Sequence, residues 1–293
     1  MISTLQDLVA PLTEAEFIAL LRGREIAYRP GCGLNRFQEL IGWRELHDLI
    51  VSGKFPVERL RVLIKTKPIL KSLYLQQGKI NAAALDRLVT YGVSLIMNRV
   101  DGQVSSLATV CRQMESQLGE DIGAAAVLTT GAGGALKLHY DRQDVIVVQV
   151  AGAKRWRIRE PPVVNPVKGL PRPSPPEGAP IFDQTLQAGD LLFVPGGYWH
   201  QCENAGDLSL HVGFHISPPT GWHAVEALTS KLLSDELFRV RLTRLAGAEE
   251  LATLEIALKQ RLIETIERLS LTEFLASRGT HGSEAADAAD EYA

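Results

Sequence analysis

The stretch from residue 123 to 218 constrains the fold more than any other part of the chain. Short apolar runs, AAAVLTT, LKLHYD, DVIVVQVAG, KRWRIRE, GDLLFVPGGYWHQC and LSLHVGFHI, follow one another between turns rich in Gly and Pro. Runs of this length, bounded by such turns and rich in β-branched residues, predict strands. DVIVVQVAG and KRWRIRE read as the two arms of a hairpin turning at Ala151-Gly152, and LSLHVGFHI reads as a separate strand closed by Pro218-Pro219. PPVVNPVKGLPRPSPPEGAP carries too much Pro and Gly for a central strand and reads as a long surface loop. Many short strands joined in this way predict a sandwich or a jelly-roll barrel.

The flanks have another texture. Residues 1–122 read as a mixed, mostly helical flank. Thr13 with Glu16 forms a capping-box pattern before FIALL. FQELIGWRELHDLIVSG shows helical spacing and stops at Gly53. VERLRVLIK alternates like a strand from Val57, NAAALDRLVTYG is a helix ended by Gly92, VSLIMNRV is a strand, and SSLATVCRQMESQLG is an amphipathic helix ended by Gly119. Residues 219–278 form a helical segment in which Leu251, Leu254, Leu258, Leu262, Ile266 and Leu269 make one apolar stripe. That stripe serves either to pack on the β core or to join two copies of the chain. Residues 279–293 lack apolar density, carry only acidic charge and are expected to be disordered.

Composition narrows the partners. Of 293 residues, 45% are hydrophobic and 22% charged, an ordinary globular balance for one large or two modest domains. Lys plus Arg number 31 against 34 Asp plus Glu, which excludes a uniformly basic nucleic-acid coat. The segment from Arg22 to Lys71 holds 11 basic and 5 acidic residues. It reads either as a solvated helical face or as a basic face that receives ribosomal RNA or an acidic peptide, and nucleic acid is expected only as part of a substrate particle. No run of about 18 apolar residues predicts a membrane helix, and MISTLQDLVAPLTEAEF has no signal-peptide pattern, so a cytoplasmic location is expected. Three cysteines, Cys32, Cys111 and Cys202, without CxxC, argue for packing roles rather than a disulfide framework or a thiolate zinc site.

The chemistry concentrates in His139-Tyr140-Asp141 and in His200, which follows GDLLFVPGGYW. Positions i and i+2 of a strand point to one face, so His139 and Asp141 can share a metal, and His200 on a neighbouring strand can complete the set. Two imidazoles and one carboxylate fill one face of an octahedron and leave three positions open, as in non-haem Fe(II) oxygenases. An HxD triplet alone arises easily by chance. The Gly-Asp turn, apolar strand, Pro-Gly-Gly turn and aromatic-His pair add a much rarer pattern. GAGGAL at 131–136 lacks the βαβ context of a dinucleotide site and the Lys-Ser/Thr of a P-loop. His211 and His215 share a strand face and read as core histidines or neighbours of the metal site, with His211, Tyr140 and Trp199 as substrate-pocket candidates. His47, His223 and His281 read as surface or packing residues, and Phe37 and Trp43 as core.

LKLHYDRQDVIVVQVAGAKRWRI followed by GDLLFVPGGYWHQC resembles the Jumonji C, cupin-type 2-oxoglutarate oxygenases, nearest to the bacterial ribosomal-oxygenase-like branch. The resemblance is specific over about residues 121–218. It implies a double-stranded β-helix (jelly-roll) barrel, mainly β with flanking helices, in which His139, Asp141 and His200 hold Fe(II). Lys154 takes the place of the basic residue that pairs with the distal carboxylate of 2-oxoglutarate, and Thr129 is a second cosubstrate contact. The implied activity is O2-dependent hydroxylation of an amino-acid side chain in a protein or peptide, ribosomal or otherwise, or of a small amino-acid substrate, by a homodimer. The chain departs from the family in two places. Relatives carry Asn and Tyr on the strand before the glycine loop, where this chain has Ala124-Ala125-Ala126-Val127-Leu128, leaving Thr129 and Thr130 as the hydrogen-bonding residues. About 75 residues follow the barrel, room for a dimerising helical segment but hardly for a winged helix. Two other classes share the triad: a cupin-type isomerase, lyase or hydrolase that uses no 2-oxoglutarate, and a non-catalytic metal-containing binding module. The same ligands also accept Mn(II) or Ni(II).

Overall fold

Two long, bent strands carry the architecture. The computed structural model describes residues 2–31, 36–131, 135–161, 163–171 and 173–278. Its strands are β1 (Ala27–Arg29), β2 (Leu60–Ile64), β3 (Lys67–Pro68), β4 (Leu75–Gln76), β5 (Lys79–Ile80), β6 (Ser94–Met97), β7 (Asp121–Thr130), β8 (Ala135–His139), β9 (Asp144–Arg159), β10 (Phe182–Gln187), β11 (Leu191–Val194) and β12 (Trp199–Ser217). The helices are α1 (Leu5–Val9), α2 (Glu14–Gly23), α3 (Trp43–Val51), α4 (Ala82–Tyr91), α5 (Ser105–Leu118), α6 (Gly221–Leu232), α7 (Ala248–Glu267) and α8 (Leu271–Ser277).

β9 and β12 run antiparallel along their whole length, and each serves two sheets. The first half of β9 pairs with β11 and its second half with β10. The second half of β12 pairs with β7 and its first half with β8. One wall is thus β1-β11-β9-β12-β7-β6-β2-β3, and the other is made from β10, β9, β12 and β8. This is a jelly-roll barrel, and it corrects two expectations. Residues 144–159 are one strand rather than a hairpin, and 199–217 are one strand rather than two. The physical reason is Gly152. Its φ of +64° bends the chain without reversing it, and a Cβ there would lie 1.7 Å from the Leu208 carbonyl oxygen. The register of β12 against β9 shifts at the same level, between Asn204 and Ser209.

Strand alternation separates two apolar layers. Ala124, Ala126, Leu128, Ile146, Val148, Leu210, Val212, Phe214 and Ile216 face outward and are buried with Leu107, Val110 and Met114 of α5. Val127, Val145, Val147, Trp156, Ile158, Leu192 and Cys202 fill the barrel interior. Each fully buried Leu or Phe contributes roughly 1.5–3 kcal/mol through its lost water contact.

The predicted caps of α2, α4 and α5 are present at Thr13, Gly92 and Gly119, and Asn81 caps the start of α4. α3 begins at Trp43 rather than Phe37, because Gly42 adopts an extended conformation and caps it. Phe37, Leu40 and Ile41 are buried in the preceding turn. Val57 lies in a 3-10 turn before β2 rather than in the strand. Asp190 explains the Gly-Asp turn. Its carboxylate accepts from the Gln187 and Gly31 backbone N–H groups and from the Tyr28 hydroxyl, fastening β1 to the barrel edge.

Residues Pro219–Gly279 form a second compact unit. Within it Arg261 pairs with Asp235 at 2.7 Å, joining α7 to the turn before it. Leu251, Leu262 and Ile266 of α7 are exposed. No described helix is long and apolar enough to cross a membrane. Cys32, His281, the loop residues 132–134 and the 279–293 tail lie outside the described residues.

Candidate metal centre

His139 is the last residue of β8, and His200 lies directly opposite it in β12. The register therefore sets the two imidazoles side by side, with ring centroids 4.2 Å apart. Asp141 lies beyond the end of β8, so strand alternation does not place it. It is turned inward by the connection to β9. Its backbone carbonyl accepts from Gly197 N–H at 2.8 Å.

One ligand atom from each of His139, Asp141 and His200 lies within 4.8 Å of the others, and all three residues are buried. His139 Nε2 is 3.7 Å from Asp141 Oδ1, and His200 Nε2 is 3.5 Å from Asp141 Oδ2. Both histidines use Nδ1 on a backbone carbonyl two residues earlier, Lys137 O at 2.7 Å and Tyr198 O at 3.0 Å. A carbonyl only accepts, so Nδ1 carries the proton and the Nε2 lone pair is left for a metal. Two imidazole nitrogens and a carboxylate gathered this closely are a donor set that divalent first-row metals accept. The three protein ligands leave other coordination positions for small molecules.

Lys154 lies on the inner face of β9 with Trp156 and Ile158, as alternation predicts, and is fully buried. Its Nζ donates to Thr129 Oγ1 at 2.9 Å and meets His211 Nδ1 at 3.3 Å. It has no acidic partner among the described residues. Burial pushes the Lys154 ammonium below its usual range. Burial and the adjacent lysine hold His211 well below the ordinary histidine range, so its ring is neutral and Nδ1 accepts. An amine in this position is costly unless an anion joins it.

Asp141, His200 and His211 line one cavity, with Ala125, Val127 and Trp156 on its apolar wall. Thr129 thus reaches Lys154, whereas Thr130 is used structurally, donating to Val89 O at 2.7 Å and accepting from Val93 N–H. Tyr140 and Trp199 stack edge-to-face on each other at 5.2 Å and are not part of that cavity wall. His47 pairs with Asp86, and His223 caps α6. Cys111 and Cys202 are buried free thiols.

Three further residues line this cavity, and of these only His215 is singled out in the sequence, as a core histidine or a neighbour of the metal site. Asn98 Nδ2, Trp156 Nε1 and His215 Nδ1 are buried without a hydrogen-bond partner among the described residues and belong to residues lining the same cavity. Trp156 is signalled by sharing the face of Lys154, and His215 by sharing that of His211. Asn98 follows an apolar strand, which marks nothing unusual.

Two imidazoles and a carboxylate converge inside a jelly-roll barrel, a group that could hold a metal ion. Residues 99–223 match the JmjC domain family. Among similar proteins, the bifunctional lysine-specific demethylase and histidyl-hydroxylase NO66 of Dictyostelium discoideum is 35% identical over 115 residues, 37% of this chain and 22% of that protein. Ribosomal oxygenase 2 of Rattus norvegicus is 32% identical over 105 residues, 36% and 23% respectively. The chain thus spans under a quarter of the length of these relatives. The crystal structure of the Escherichia coli ribosomal oxygenase YcfD aligns with a TM-score of 0.59 at 19% identity, over 93% of this chain and 73% of that one. A structure of YcfD with cobalt and 2-oxoglutarate aligns at 0.57 and 18% identity, over 92% and 72%. These structural likenesses establish the shared fold.

Proposed function

We propose that the chain is an Fe(II)- and 2-oxoglutarate-dependent oxygenase that hydroxylates an amino-acid side chain of a protein or peptide. The observation that carries this is a fully buried lysine without an acidic partner among the described residues, hydrogen-bonded to His211 of the cavity that Asp141 and His200 also line. Metal ligands with open positions and a cationic anchor nearby are what a chelating dicarboxylate requires. NO66 and ribosomal oxygenase relatives support a protein substrate, and the ribosomal names favour a ribosomal protein.

His139, Asp141 and His200 would hold the metal, through two Nε2 atoms and the carboxylate. Iron with 2-oxoglutarate and O2 supplies the oxidising power for a C–H bond and releases succinate and CO2. Lys154, as an ammonium, pairs with the distal carboxylate, and Thr129 orients the ammonium. Neutral His211 takes the other side of Lys154, a role that the apolar Ala125 and Val127 cannot fill. The apolar walls exclude water from the reacting centre. Asn98 and His215 offer polar contacts to the incoming side chain. The exposed stripe of α7, through Leu251, Leu262 and Ile266, is assigned to a second copy of the chain. A cytoplasmic location fits this assignment.

The test is turnover. Iron-loaded protein incubated with O2, 2-oxoglutarate and ribosomal proteins is expected to yield succinate together with a peptide one oxygen atom heavier. Metal-dependent chemistry without consumption of 2-oxoglutarate would move the chain to the isomerase, lyase or hydrolase class.

A further inference from the structure

Arg24, at the C-terminal end of α2, lies far in sequence from the metal ligands. It caps the helix in the left-handed conformation, with φ +55° and ψ +46°. From there its guanidinium crosses to the Pro195-Gly196-Gly197 turn. Nη2 donates to the Gly196 carbonyl, and Nη1 is 3.7 Å from Asp144 Oδ1. The same Asp144 oxygen accepts from Gly196 N–H at 2.7 Å. The Tyr198 hydroxyl donates back to the Arg24 carbonyl at 3.3 Å.

This turn separates the two halves of the metal site. On one side, Gly197 N–H donates to the Asp141 carbonyl at 2.8 Å. On the other, the Tyr198 carbonyl accepts from His200 Nδ1 at 3.0 Å, which sets the ring's tautomer and angle. There is no slack around the turn. A Cβ on Gly196 would lie 2.3 Å from the Arg142 carbonyl oxygen, and one on Gly197, at φ +90°, 2.5 Å from that of Val163. Burial raises the Asp144 pKa, while the Gly196 N–H and the Arg24 charge oppose it. Without Arg24 the buried carboxylate loses its only cation among the described ion pairs.

We propose that Arg24 is a positioning residue for the metal site: by clamping the 195–197 turn against Asp144, it fixes the separation and orientation of Asp141 and His200. The inference rests on the metal reading of the triad, and it makes the N-terminal flank part of the metal centre. Partners that orient a metal ligand typically change affinity by about 10- to 100-fold when removed.

Co(II) titration of the metal-stripped full chain tests this, read by the visible ligand-field absorption and by thermal melting of the metal-free protein. Arg24→Met is expected to weaken Co(II) binding about tenfold or more and to alter the absorption bands, with Arg24→Lys recovering part of the loss. Arg36→Met is the control. Arg36 also ties distant segments through backbone carbonyls, those of Asp7 and Leu8. It is expected to lower the melting temperature and leave Co(II) affinity and spectrum unchanged. If Arg24→Met does not fold, Tyr198→Phe removes a single hydroxyl from the clamp and is expected to weaken Co(II) severalfold. Affinity within about twofold of wild type and an unchanged spectrum in the folded clamp variant overturn the proposal. A wild-type chain that binds no Co(II), or binds it equally after His200→Ala, overturns the metal reading itself.

Discussion

Replacing Lys154 by Met separates ligand binding from folding. The side chain is fully buried, and its Nζ is held by Thr129 and His211. In the complex with 2-oxoglutarate it would form a buried charge pair, and truncating one partner of such a pair costs about 2–5 kcal/mol. That is a rise in Kd of roughly 30-fold to several thousandfold. The ligand-free protein should not suffer equally. Met fills a similar volume and removes the cost of burying an amine. Thr129 keeps its contact with Ser94 Oγ at 3.3 Å. Thermal stability is therefore expected to hold or to rise by about 1 kcal/mol. Burial lowers the Lys154 pKa in the fold, so above that pKa the unfolded chain binds the extra proton. The sign of linkage makes wild-type stability rise with pH toward about 10.4, and the Met variant loses this rise. Pairing with the cosubstrate favours the ammonium, so any proton taken up on binding falls to Lys154, and affinity falls as pH rises through the Lys154 pKa. Isothermal titration of the Mn(II) form in two buffers of different ionisation enthalpy reads both affinity and proton uptake. Retention of 2-oxoglutarate affinity within about threefold in Lys154→Met would refute the reasoning.

Three other outcomes follow from particular residues. His211 is neutral in the fold because burial and Lys154 lower its pKa. Below about pH 6.5 the unfolded chain gains a proton that the fold does not, so stability falls with falling pH. His211→Gln should make that acid loss shallower in urea unfolding by up to about 1.4 kcal/mol per pH unit. Gly152→Ala places a Cβ 1.7 Å from the Leu208 carbonyl oxygen at φ +64° and should cost about 3–5 kcal/mol, measured by urea unfolding. The chain should sediment as a dimer, and Leu262→Glu with Ile266→Glu should make it monomeric. A monomer at all concentrations would remove α7 as the interface.

The local grammar of the barrel was legible in the residues because its turns and strand alternation are set by short-range chemistry. Thr13, Gly92 and Gly119 marked helix ends correctly, and the two-residue spacing of Lys154, Trp156 and Ile158 put them on one face. The corner at Gly152 was misread because a glycine with positive φ serves a hairpin turn and a strand bend alike. Only the long-range pairing of β9 with β10, β11 and β12 decides between them. Asp141 was assigned to the metal face by strand periodicity, yet β8 ends at His139, and the Gly197 hydrogen bond accompanies its placement there. Arg24 and Asn98 carried no signal. Their roles come from contacts across more than a hundred residues, or from a cavity that exists only once the barrel closes.

The central claim is that one cavity binds metal and 2-oxoglutarate together. Anaerobic titration of the Fe(II)-loaded protein with 2-oxoglutarate tests it most directly, through the weak visible charge-transfer band of the chelated cosubstrate. The account predicts a saturable band in the wild type that is lost in His200→Ala and in Lys154→Met at the same concentrations. Stoichiometric Fe(II) with no band at any 2-oxoglutarate concentration would contradict it.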